Sequence, residues 1–397
     1  MTEIEEQITI QTHQFVPSEL ALIAPDVALQ KYLQTGYRPS LRKFFEFKPI
    51  VMSTAGVSRY DTLKGQGKAN DSTAVIGSSI VKSHGTSVIT FISASLIEDS
   101  FEAVNDYRTR LESDLIITDD DLKAGSQKLE YMNGTVYPVV EIAKGMSGPP
   151  TPEEIELGER LYQNILNSGV IPRSSLNVNI GLKCTDEKGN VTVLHKGEDQ
   201  LTDDLLNGLT GKSFSFVLQA RLQVFGANGP VYDLCHAGLL KALKDVKLPE
   251  VYLTEKEATL RTRGGKSVAV DQAVEGYDLL CDPIKYKVLQ LNESKLSWSS
   301  TFGVVDLISV DEDGDGDVEM NKRENTFKQS VLLADLEGDI ENFITKRISA
   351  VVNKDGHFVN FTLCKSGGSS SNKISREAIQ QALDLSNSRS HDMISQI

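Results

Sequence analysis

The most regular alternation of hydrophobic and polar positions lies between Phe214 and Val251. Phe214, Phe216, Leu218, Ala220, Leu222 and Val224 recur at period two, which predicts a half-buried strand. Gly226, Asn228, Gly229 and Pro230 then predict a turn, because Gly and Asn tolerate positive φ and Pro presets its own. Beyond it, Val231, Leu234, Cys235, Gly238, Leu239, Ala242, Leu243 and Val246 recur at helical spacing and predict one apolar helix face, with Pro249 closing the unit. A long strand, a tight turn and an amphipathic helix in succession predict the centre of an α/β sheet domain. The functional question is whether that turn carries chemistry.

The rest of the chain reads against this unit. Ser18 is expected to cap a short helix, and Pro25 to restart it as an apolar stripe through Val27, Ala28, Tyr32 and Leu33 until Gly36. That predicts a helical arm over residues 1–35. Residues 77–96 predict a hairpin turning near His84-Gly85. Residues 97–135 are acidic and read as a surface excursion or insertion. Val136 to Ile142 predicts a strand. Thr151, Pro152 and Glu154 form the clearest helix start, a capping box with proline in the first turn, and Gly169 is the stop. Strands are expected at 176–182 and 191–193, at Val288 to Leu291, and at Phe302 to Ile308. Ile348, Ala350 and Val352 should pair with Val359, Phe361 and Leu363, and Ser375 should cap a last helix. The domains expected are the arm, a first lobe over 36–250 and a second over 251–397.

Composition narrows the function. Forty per cent hydrophobic and 24 per cent charged residues is ordinary for a globular chain of 397 residues. A net charge of −14 argues against a self-sufficient binder of nucleic acid or anionic membrane, though not against a local basic patch within an assembly. Cys184, Cys235, Cys281 and Cys364 are far apart and form no metal-binding spacing, so reduced thiols are expected. The opening MTEIEEQITI lacks the apolar core of a secretory signal, and no run of about 18 apolar residues predicts a membrane span.

Few motifs carry chemistry. Asp311, Asp313, Asp315, Gly316, Asp317 and Glu319 approach a calcium-loop spacing. Position twelve is Lys322, however, and the preceding segment predicts a strand where such a loop needs a helix. A solvated acidic loop is expected, with no metal site. Cys235 and His236 are adjacent on the predicted helix and so point about 100° apart, which makes Cys235 a core residue rather than a nucleophile. Two basic clusters stand out in an acidic chain: Arg38, Arg42, Lys43 and Lys48, and the RTRGGK stretch at 261–266. They read either as cations balancing local carboxylates or as patches touching RNA phosphates or an acidic partner.

Three blocks resemble the RNase PH family, in the family's order. GYRPSLRKF resembles its Gly-x-Arg opening segment, GSSIVKSHGTSVIT its hairpin, and VLQARLQVFGANGPVYDLCHAGLLKALKDVKLPEV its central strand, turn and helix. The arm before Gly36, the TPEE helix and the VYDL to LLKAL spacing resemble the exosome branch that lacks catalytic residues. The resemblance implies an α/β (α+β) RNase PH-like fold of two βαβ lobes with an N-terminal helical arm. Active members carry an acid at the central turn, where this chain has Asn228-Gly229-Pro230. They also carry phosphate-holding arginines before the helix that here begins in KGMSGPPTPEE, with Lys144 alone. A neutral amide cannot act as general acid. Asp233 is expected to serve only as a charge at the helix start.

The resemblance therefore implies a non-catalytic subunit of a hetero-hexameric ring, with a cap subunit, a recruited exoribonuclease and RNA passing through the channel. Arg38, Arg42 and Lys43 are the candidate RNA contacts, and no cofactor is expected. Nucleus, nucleolus and cytoplasm are the compartments implied. The alternative is an active phosphorolytic 3′ exoribonuclease; a monomeric RNA-binding module conflicts with the charge of −14.

Overall fold

A computed structural model describes residues 16–61, 74–99, 133–145, 148–185, 191–195, 213–255, 277–308, 327–365 and 374–397. The acidic loop at 311–319, the RTRGGK cluster and most of the acidic 97–135 stretch lie outside the described residues.

The first sheet has five strands. In chain order these are β1 (Val51–Thr54), β2 (Val75–Ser83), β3 (Thr86–Asp99), β4 (Val136–Ile142) and β7 (Ser213–Phe225), and they lie side by side as β1-β2-β3-β7-β4. The hairpin β2–β3 turns at His84-Gly85, as the sequence predicts. β7 behaves as its alternation requires. Phe216, Leu218, Ala220, Leu222 and Val224 are buried, while Gln219 and Arg221 on the other face are exposed. β4 pairs with β7 in parallel, so the chain must cross over between them, and the crossover carries helix α3 (Pro152–Ser168). That helix starts in the expected capping box: the Glu154 backbone N–H donates to Thr151 Oγ1, and the Thr151 N–H donates to Glu154 Oε2. It ends at Gly169, in the left-handed conformation that glycine adopts without penalty.

Helix α4 (Val231–Lys244) departs from the single apolar face expected. Every residue from Leu234 to Leu240 is buried, including the polar His236. The reason is tertiary. One side of α4 packs on β2 and β3 and another on β10 (Ser297–Ile308), so no face is left for water. The approach to the sheet is close enough that a Cβ at Gly238 would sit 2.9 Å from Thr90 Oγ1, and Ser79 Oγ donates to the Gly238 carbonyl at 2.7 Å. Each fully buried leucine here contributes about 1.5–3 kcal/mol of hydrophobic stabilisation.

A second sheet, β11-β10-β12-β13, contains β11 (Phe327–Ala334), β12 (Lys346–Asn353) and β13 (Phe358–Lys365) and is antiparallel throughout. Ile348 faces Leu363 and Ala350 faces Phe361 as expected, but a bulge sets Val352 opposite Phe358 rather than Val359. The last helix, α6 (Arg376–Ile394), covers this sheet and is capped by Ser375, whose Oγ accepts from the Ala378 N–H. A short helix, α5 (Gly338–Asn342), follows β11. The third sheet, β6-β5-β8-β9, joins β5 (Ile180–Thr185), β6 (Val191–His195), β8 (Lys247–Glu255) and β9 (Tyr277–Val288).

Several details differ from the sequence reading. The expected boundary at residue 251 falls inside β8, and β8 pairs with β9 from beyond it. β9 spans Tyr277–Val288, so the strand expected at Val288 to Leu291 is not formed beyond its first residue, and the strand lies on the residues before it. The arm consists of α1 (Pro17–Ile23) and α2 (Pro25–Gln34). α1 begins before Ser18, which leaves that residue inside the helix rather than at its cap. Leu29 and Leu33 of α2 pack with Leu333, Leu336 and Ile344, so the arm rests on the C-terminal half of the chain.

Candidate functional site

The turn after β7 lies where three parts of the chain meet. Gly226 has φ +66° and Gly229 φ +111°. Space alone demands both glycines: a Cβ at Gly226 would lie 2.3 Å from the Gly85 carbonyl oxygen, and one at Gly229 would lie 2.5 Å from that of Leu336. Thr86 on β3 ties the turn down, accepting from the Asn228 N–H at 3.0 Å and donating to the Gly226 carbonyl at 2.5 Å. The Asn228 side chain faces the other way and accepts from the Gly338 N–H at 2.7 Å, at the start of α5. The position that resembles a catalytic turn thus spends its amide on joining the two halves.

Asp233, one turn into α4, does more than complement the helix dipole. Its carboxylate is half-buried and accepts from Ser299 Oγ at 2.5 Å and Thr301 Oγ1 at 3.1 Å, both on β10. Burial pushes its pKa up to about 6, the Ser299 bond pulls it down, and the nearby Asp335 adds to the rise. Lys48 lies alongside. Its ammonium donates to the Leu336 carbonyl at 3.2 Å and stands 3.5 Å from Asp335. Arg389 of α6 reaches the Lys48 carbonyl at 3.2 Å and lies over the Phe47 ring. The space enclosed among these groups is about 20 Å³, room for one water and not for a nucleotide.

The first basic cluster is divided by its partners. Arg38 is fully buried, paired with Glu341 at 2.5 Å, and donates to the Ala334 and Asp335 carbonyls. It is therefore withdrawn as an RNA contact, since a guanidinium enclosed with a carboxylate offers nothing to a phosphate. Arg42 is almost as fully engaged, 2.9 Å from Glu337 and donating to the Asp335 and Glu46 carbonyls. Lys43 alone of the three candidates is exposed. Sequence reasoning missed the acids that capture these arginines. The signal was available in Asp335, Glu337 and Glu341, an acidic run about three hundred residues from the basic one, but nothing in the sequence pairs the two runs.

On the far side of the turn, Pro230, Tyr232, Arg160, Thr301, Arg347 and Lys365 line a cleft of about 510 Å³. Arg160 lies 4.2 Å from the centre of the Tyr232 ring, and the Tyr232 hydroxyl is hydrogen-bonded to Asn164. Lys144 stands 3.9 Å from Glu153. Cys235 is buried, and burial pushes its thiol up to about 12, which keeps it protonated and inert. Burial pushes His236 down to about 4, and neither ring nitrogen has a hydrogen-bond partner among the described residues. Among the described residues no group of three acidic, His or Cys side chains could hold a metal ion, and no helix is long and apolar enough to cross a membrane.

No family model and no curated protein matches this chain. Solved structures do match. One is a chain of the Archaeoglobus fulgidus exosome with RNA bound to the active site, at TM-score 0.51 and 14% identity, covering 94% of this chain and 97% of that one. The two share a fold. A chain of an archaeal exosome core aligns at 13% identity over 96% of this chain and 99% of that one, with a TM-score of 0.49. The mixed α/β architecture expected from the sequence is thus the one observed, and it is shared over nearly the full length of both chains.

Proposed function

We propose that this chain is a non-catalytic structural subunit of an exosome-type ring, supporting 3′→5′ processing and degradation of RNA, including ribosomal RNA maturation and mRNA decay. The observation that carries the reading is the end-to-end match of its fold to a chain of an archaeal exosome. The sequence blocks add a finer assignment, a counterpart of the fungal ring subunit called ribosomal RNA-processing protein 43. Fold alone does not assign activity, so the loss of catalysis rests on the turn. Asn228 is neutral, and its side chain is engaged by the Gly338 N–H. The partners proposed are other chains of this fold in a hetero-hexamer, a cap subunit with RNA-binding domains and an associated exoribonuclease. RNA would meet this subunit through Lys43, bound by its phosphates without base reading. Nucleus, nucleolus and cytoplasm are the compartments proposed.

Native affinity purification of the full chain with identification of co-purifying proteins tests the ring. Recovery with several chains of the same fold is expected, and recovery as a lone monomer overturns the proposal. A second assay addresses catalysis. Purified protein incubated with single-stranded RNA and phosphate should release no nucleoside diphosphates. Phosphate-dependent release that survives Asn228→Ala would establish the enzyme instead.

A further inference from the structure

β4 is the outer strand of the first sheet, and α3 lies along its open side. Between them runs a groove of about 350 Å³. Three apolar side chains at its rim are turned to solvent: Tyr137 is 49% exposed, Val139 52% and Ile155 61%. Scattered exposed apolar residues are ordinary, whereas a cluster gathered round one groove marks a contact surface. The groove has a polar end. The Tyr137 and Tyr162 rings stack with centroids 5.5 Å apart, and Glu159 lines the same wall. Among the described residues, no lysine, arginine or histidine lines it. The Tyr162 hydroxyl is pushed up by burial, with Tyr137 and Glu159 adding to the shift.

We infer that this groove is a protein-docking site, and that its occupant is a partner segment presenting an arginine next to an apolar residue. The arginine stem fits the apolar rim. Its guanidinium fits the stacked tyrosines and the Glu159 carboxylate, combining ring stacking with charge attraction. A nucleic-acid phosphate is the wrong chemistry for a wall whose Glu159 carboxylate is held by the neutral Gln163 amide and has no cation among the described lining residues. An added β-strand is excluded where α3 touches β4, because even a Cβ at Gly158 would lie 3.2 Å from the Pro138 carbonyl oxygen. The contact is therefore made by side chains in a groove and not by extension of the sheet. It is independent of the ring assignment, because it rests on the chemistry of this wall.

The test uses the full chain and three fluorescent probes: a short peptide alternating arginine and leucine, its glutamate–leucine counterpart, and a single-stranded RNA. Anisotropy should show saturable binding of the arginine peptide alone. Glu159→Lys and Ile155→Asp should each weaken it about tenfold. Both sites are exposed, and thermal melts should confirm that both variants remain folded. Absence of saturable binding overturns the proposal, as do equal binding of the glutamate peptide, preference for RNA, or indifference to both substitutions.

Discussion

Two regions meet at helix α4 and are held together by opposite means. Along its length the helix is fixed by apolar packing: Leu239, Leu240 and Leu243 are fully buried against the first sheet and its neighbours. At its N-terminal end polar groups join the contact with the C-terminal half, through Asn228, Asp233 and Lys48, and the buried Arg38–Glu341 pair ties the N-terminal segment to the same half. Apolar packing tolerates any side chain of suitable volume, while a buried charge tolerates only its partner. The first region fixes a lobe. The second fixes which surfaces of the two halves meet, and in what register.

The sharpest way to break the comparison is to remove one charge. Arg38→Met leaves the Glu341 carboxylate buried without its counter-ion and should cost about 3–5 kcal/mol. Adding Glu341→Leu should restore most of that loss. Urea unfolding followed by the single tryptophan, Trp298, which is buried close to the junction, would read both. Equal losses in the single and double variants would show that the pair acts through packing alone. Leu239→Ala probes the apolar side and should cost about 2–5 kcal/mol with no rescue by a charged neighbour.

Acid divides the two regions further. His236 is held neutral, with its pKa lowered from 6.5 to about 4, so folding binds fewer protons there. Its contribution to stability is complete above pH 6.5 and is lost as pH falls toward 4. Asp233 runs the other way. Its pKa is raised from 3.8 to about 6, so its carboxylate penalises folding above pH 6 and stability is regained as pH falls toward 3.8. At about 1.36 kcal/mol per pH unit each effect is on the order of a few kcal/mol, and the two have opposite signs. Relative to the parent chain, His236→Leu should gain stability on acidification from pH 6.5 to 4, and Asp233→Asn should lose it. Denaturation midpoints taken across that range would show whether the two curves diverge.

Smaller effects sharpen the picture at the turn. Asn228→Ala removes the acceptor for the Gly338 N–H and should cost about 0.5–1.5 kcal/mol, while Asn228→Asp keeps an acceptor and should stay close to the parent. Lys43→Ala should change stability by less than about 0.5 kcal/mol, because the side chain is exposed. Its expected readout is weaker crosslinking to RNA within the assembled complex, and unchanged crosslinking would remove the last of the three cationic candidates.

What the sequence made legible was local. The capping box at Thr151, the glycine stop at 169, the β2–β3 hairpin and the strand–turn–helix unit each depend on residues close together in the chain. The hidden features are those that depend on distant partners. Arg38 reads as a surface cation until Glu341 arrives beside it, and α4 reads as amphipathic until β10 packs on it opposite the first sheet and takes up Asp233. The bulge before Val352 shifts a pairing that strict alternation sets one residue away. Asp233 was legible as a helix-start charge, but its use by Ser299 and Thr301 was not.

The Arg38–Glu341 pair also carries a consequence for biosynthesis. Its members are 303 residues apart, so Arg38 leaves the ribosome long before its partner is made. At about 5–20 residues per second, the guanidinium waits roughly 15–60 s for its carboxylate. Throughout that interval the arm and the segment behind it have no native seat, since Leu333, Leu336 and Ile344 beneath them are also late in the chain. The nascent protein therefore cannot seat its arm until the residues through Ile344 have been made. That delay favours a holding chaperone during translation, and it makes a docked arm the natural signal that the segment from Leu333 to Ile344 has folded.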